Sequence, residues 1–205
     1  MDQKAGKLAT VIFHPLLMPV FGIIALMYSG TYLSFLPADA KRIISLIVII
    51  GMFLLPLSLF PFYLYRRMVT NIEFSKRKER FLPLFITSLL YCLTYYILGR
   101  LHVSSLVLTM IAAATGSLFL LMVITLWYHI SLHAAGMAGL FGFILSVSIR
   151  YGLAAPIIIY GAAIASGLVG TVRLRQGAHA PGEVYSGYLV GFAFSFICGL
   201  YFSVH

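Results

Sequence analysis

Apolar runs of membrane-crossing length recur along this chain, at approximately 10–29, 43–65, 83–99, 105–127, 134–149, 152–170 and 184–204. About twenty apolar residues in helical conformation cover the roughly 30 Å of a bilayer's hydrocarbon core. Only 9% of the residues are charged and 61% are hydrophobic, whereas a soluble domain carries about 25% charged residues. Such a chain cannot hide its apolar surface from water by folding on itself. The sequence therefore predicts an all-α, polytopic membrane helix bundle with six to seven transmembrane helices. Residues 1–205 read as a single integral membrane domain.

Lys4 and Lys7 precede the first run, the outline of a signal peptide, but the stretch from Thr10 to Ser29 exceeds the 7–15 residues of a signal core. It is expected to be an uncleaved first span. Cys92 and Cys198 fall inside apolar runs, where cysteine packs as a small hydrophobe. No disulfide or metal role is assigned to them.

Three polar stretches interrupt the runs: "NIEFSKRKERFLP" (71–83), "WYHISLHAAG" (127–136) and "TVRLRQGAHAPGE" (171–183). Two spans separate the first from the second, and two more separate the second from the third. A helix through all of 134–170 would be about 55 Å long at 1.5 Å per residue, too long for one crossing. All three stretches therefore lie on one membrane face. That face collects His129, His133 and His179, the acids Glu73, Glu79 and Glu183, and the bases Lys76, Arg77, Lys78, Arg80, Arg173 and Arg175. Such convergence is costly to keep next to a membrane without a use.

The formal charge of +9 is carried by residues flanking spans, as orientation signals are, and no nucleic-acid partner is expected. Arginine and lysine beside histidines point instead to phosphate, whose oxygens a guanidinium fork matches two at a time. Lys76, Arg77 and Arg80 share one face if their stretch is helical. Taken alone, that run reads first as a juxtamembrane basic run in loose contact with lipid headgroups. Three glutamates among six bases are a poor cage for metal ions, so no metal and no other cofactor is expected. A metal-free route remains, in which one histidine attacks phosphorus and another protonates the leaving oxygen.

In "HAPGE", Pro181 suits the first turn of the final helix. Glu183, two residues on, can either curl back to hold the ring N–H of His179 or cap the helix and pair with Arg173 or Arg175. In "ISLHAAG", Ser131 is a plausible helix cap and His133 falls in the first turn behind it. Ala134, Ala135 and Gly136 permit close helix packing. Trp127, Tyr128 and His129 read as interfacial.

These residues resemble the type 2 phosphatidic acid phosphatases, relatives of the vanadium haloperoxidases. That family's third motif is Ser-Arg, five residues, His, three residues, Asp. Arg173, His179 and Glu183 reproduce the spacing. Its second motif, Pro-Ser-Gly-His, is similar to "ISLH", and its first, Lys, six residues, Arg-Pro, is loosely matched through Arg80 and Pro83. The resemblance covers about 71–191. It implies His179 as the nucleophile that becomes phosphohistidine, Glu183 as its orienter and His133 as general acid. It implies Arg173, Ser131 and Arg80 as phosphate ligands, with Lys76 or Arg77 standing in for the lysine, since position 73 is Glu. Glu183 replaces aspartate, Val172 stands where serine is usual, and Ile130 and Leu132 replace proline and glycine.

The function implied is a metal-independent phosphatase acting on a membrane lipid phosphate or diphosphate. The partners are that phosphorylated lipid and the bilayer, and the location a bacterial inner (plasma) membrane. The alternative is an inactive relative that binds or transports anionic lipids.

Overall fold

The structure, a computed structural model, describes residues 3–69, 77–152 and 156–201. Every regular element among them is helical: α1 (Gln3–Ile12), α2 (Met18–Tyr28), α3 (Ala38–Val48), α4 (Leu55–Ser58), α5 (Phe60–Tyr65), α6 (Arg77–Arg100), α7 (Ser105–Thr125), α8 (Leu132–Tyr151), α9 (Pro156–Arg175) and α10 (Pro181–Tyr201). Six helices are long and apolar enough to cross a membrane. They are Ala38–Tyr65, which joins α3 to α5, and then α6 to α10. The protein is a multi-pass membrane helix bundle.

The first apolar run departs from expectation. It is not one continuous span, because Pro15 forces the residue before it out of the helical region. His14 is extended at φ −65° and ψ 135°, its ring nitrogen accepts from the Leu16 N–H, and a short 3₁₀ turn (Pro15–Leu17) leads into α2. The remaining apolar helix, Pro15–Tyr28, falls short of the length of the other six. The chain from Pro15 to Tyr32 still runs from one end of the bundle to the other. Pro15 packs on Gly136 at the first end. At the far end the Tyr32 hydroxyl hydrogen-bonds the Ser104 hydroxyl at 2.6 Å, and its ring meets the Tyr151 ring.

Prolines also shape the second span. Pro56 has no N–H to offer the preceding turn, and the helix loosens into a π-helical segment at Ile49–Leu54 just before it. Gly51 in that segment sits hard against Thr94 of α6.

The bundle is organised around α8 and α10, which pack along much of their length. On α10 the buried face reads Gly187, Gly191, Ser195, Gly199, one small residue per four. A Cβ on Gly191 would collide with the Ala135 carbonyl oxygen, and one on Gly187 would come 2.7 Å from the Ser131 carbonyl oxygen. Gly139 and Gly142 of α8 answer from the other side, facing Ser195 and the Phe192 backbone. Lipid offers no hydrophobic drive to associate, so backbone-to-backbone approach through small residues supplies the packing. Helices α6 and α7 pair beside this core, α9 lies against α8, and α2 against α7 and α8. Both cysteines are free thiols.

Candidate active site

Chain direction places the start of α6, the end of α7, the start of α8, the end of α9 and the start of α10 at one end of the bundle. The three polar stretches thus meet there, and α1 joins them by packing on α9.

Helix α9 stops because Gly177 takes the left-handed conformation at φ 63°. The Gly177 N–H then donates to the Leu174 carbonyl and the Ala178 N–H to the Arg173 carbonyl, the paired bonds of a Schellman cap. The chain turns through Ala178, His179 and Ala180 into α10, whose first residue is Pro181. Glu183 curls back as its position predicts: its Oε2 accepts from the Ala180 N–H at 3.2 Å and from His179 Nδ1 at 2.8 Å. With Nδ1 donating, Nε2 of His179 is left carrying a lone pair.

Helix α8 begins one layer away. Ser131 caps it, the hydroxyl accepting from the Ala134 N–H at 3.5 Å, and His133 lies in the first turn. The Ser131 hydroxyl serves as a cap inside a fully buried residue. Its N–H donates to the Glu183 carbonyl at 3.0 Å, which welds the two helix starts together. From α6, Arg80 donates to the Ile130 carbonyl at 2.9 Å, so one arm of this guanidinium holds the loop ahead of α8. Arg173 donates to the Gln176 side chain at 3.4 Å.

Arg80, Arg173 and His179 are 3%, 4% and 7% exposed, a density of buried polar groups that structure alone does not require. His179 lies within electrostatic reach of Arg173, Arg80 and His129, and His133 of Arg173 and His179. Arg80 in turn feels both Glu183 and Arg173. Burial lowers the pKa of His179 to about 4 against the pull of Glu183, so its imidazole is neutral near pH 7. Two guanidiniums against one carboxylate leave this cluster net positive. The starts of α8 and α10 turn backbone N–H groups to this side, where the C-terminal ends of α7 and α9 also lie. Chemically, such an arrangement can accept an anion beside an unprotonated imidazole nitrogen.

The structure therefore gathers His179, Glu183, His133, Ser131, Arg173 and Arg80 at one place. Lys76 lies outside the described residues, and Arg77 begins α6 with its side chain outside them.

Two histidines join that sequence reasoning had not placed there. His129, read as interfacial, turns inward: its Nδ1 stands 3.2 Å from Glu183 Oε2, and its ring centroid is 4.9 Å from that of His179. Span parity puts His129 on this face, but no spacing marks it as a partner of Glu183, because the segment carrying it is not helical. His14 meets His133 edge-on, with ring centroids 5.5 Å apart, and burial lowers its pKa to about 4. Span parity puts His14 on this face, which was the available signal.

His129, His179 and Glu183 also bring three potential metal-ligand atoms within 4.8 Å of one another, a donor set that zinc accepts. Both Nδ1 atoms, however, are engaged with the same carboxylate oxygen, and Arg80 and Arg173 oppose a cation there. The fit to a metal ion is poor.

No protein-family model, curated protein or solved structure matches the chain.

Proposed function

We propose that the protein is a metal-independent lipid phosphate phosphatase. The observation that carries the reading is the His179–Glu183 pair at 2.8 Å, set in a buried, net positive cluster with Arg80, Arg173 and His133.

In the reaction, His179 Nε2 attacks phosphorus and the bond to the leaving oxygen breaks. His133 gives that oxygen a proton, releasing the lipid alcohol. Glu183 keeps the His179 Nδ1–H in place and stabilises the positive charge that grows on the ring as the N–P bond forms. Arg173, Arg80 and the helix N-termini balance the equatorial oxygens of the five-coordinate transition state. Water then attacks the phosphohistidine, its proton passing to His133 and the N–P bond breaking to free phosphate and His179.

A lipid also needs a place for its chains. An open groove of about 400 Å³ lies between α8, α9 and α10, lined by Ala138, Phe141, Ala163, Ser166, Tyr188 and Phe192. Ala138 is five residues past His133, about 7.5 Å deeper along α8. A headgroup at His179 with its tail in this groove enters sideways from the bilayer. The location that goes with this reading is a bacterial inner membrane.

The test is phosphate release from a panel of lipid monophosphates and diphosphates by detergent-purified protein in chelator, wild type beside His179→Ala. Release that is lost in the variant supports the proposal. Release that needs added metal, or that His179→Ala leaves intact, overturns it. Lipid binding without release favours the binding or transport alternative.

A further inference from the structure

One oxygen of Glu183 does more than orient one ring. Oε2 accepts from His179 Nδ1 at 2.8 Å, from His129 Nδ1 at 3.2 Å and from the Ala180 N–H at 3.2 Å. An ionised carboxylate only accepts, so both imidazoles donate to it. His129 Nε2 is buried and has no hydrogen-bond partner among the described residues. The two rings lie side by side, tilted by 34°. Glutamate has one more rotatable bond than the aspartate of the resembled motif, so its carboxylate has further ways to leave His179. A second ring donor on the same oxygen restricts that freedom.

Resting on the phosphatase reading above, we propose that His129 is a positioning residue, clamping the Glu183 carboxylate so that His179 stays in the tautomer and rotation needed for attack. It touches no reacting atom and acts through Glu183. The longer acid and the additional histidine are then two halves of one device.

The test compares His129→Phe, which keeps a ring and loses the donor, with His129→Asn, whose side-chain amide can stand where Nδ1 does. Loss of a hydrogen bond to a charged group predicts a fall in kcat of about ten- to a hundredfold in His129→Phe. KM should move little, and His129→Asn should recover much of the rate. In a Glu183→Ala background, His129→Phe should cost nothing further, because the partner it acts through is gone. Wild-type kcat in His129→Phe would overturn the proposal. So would an equal loss in both backgrounds, which would mean a packing role. Nitrogen-15 spectra of the histidines, recorded on the same full-length proteins, give a readout independent of turnover. The His179 Nδ1–H signal should weaken in His129→Phe, and an unchanged signal would overturn the clamp. Should His179→Ala still release phosphate, the phosphatase reading fails while the spectra decide the clamp separately.

Discussion

The backbone N–H of Ser131 donates to the backbone carbonyl of Glu183 at 3.0 Å, joining the residue that caps α8 to the first turn of α10. Because His133 follows Ser131 by two residues and His179 precedes Glu183 by four, this one bond sets the separation of the proposed acid and nucleophile. Gly187 makes it possible, since any Cβ there would stand 2.7 Å from the Ser131 carbonyl oxygen.

Gly187→Val should therefore push the two helix starts apart. Overpacking at such a contact costs about 1–3 kcal/mol, so the melting temperature in detergent should fall and phosphate release should fall with it. Gly161→Ala in α9, where an added Cβ meets nothing within 4 Å, should leave both unchanged. Thermal unfolding of the three proteins side by side checks this.

Removing the charge of Glu183 should separate turnover from binding. Glu183→Gln is expected to lower kcat steeply with a small change in KM, the pattern of an interaction made mainly in the transition state. Steady-state kinetics on one lipid phosphate measures it. A rise in KM at unchanged kcat would count against the role.

His133→Ala should reduce the rate by about 10²–10⁴-fold, the usual contribution of a general acid. The loss should shrink on a substrate with a good leaving group, such as an aryl phosphate, because a stable leaving anion needs no proton. Comparing alkyl and aryl phosphates on the same variant provides the check.

The acid limb of the rate should report His179. Its pKa is lowered to about 4 by burial, and the attacking nitrogen must be unprotonated. So kcat/KM should hold as pH falls through 6.5 and decline only near 4. Stability follows the same sign. A histidine buried neutral, such as His179 or His14, favours the folded state fully above the ordinary 6.5. That contribution is lost as pH falls from 6.5 toward 4. A pH series of kcat/KM and of melting temperature tests both statements.

Arg173→Lys keeps the charge and loses the planar fork, so it should weaken phosphate binding without abolishing it. Arg173→Ala should raise KM further, by about ten- to a hundredfold if it holds a charged hydrogen bond. The series is read from KM, with vanadate inhibition as a second measure.

The sequence by itself determined the solvent, the helical class and the side of the membrane on which polar residues collect, because span length and parity depend only on the order of apolar and polar residues. It also determined the local chemistry of "HAPGE" and "ISLHAAG": a proline at the first helical position, an acid curling back onto the histidine before it, and a serine cap. These are interactions within a few residues, and the structure holds each of them. Tertiary structure decided the rest. The break at His14–Pro15 turned an expected first span into α1, a tight turn and the short helix behind it, and delivers His14 to His133. The inward turn of His129 depends on where α10 places Glu183, fifty-four residues along the chain. A contact of that kind leaves no periodic trace in sequence. It exists because α8 and α10 approach through glycines closely enough to bring their two starts within hydrogen-bonding distance.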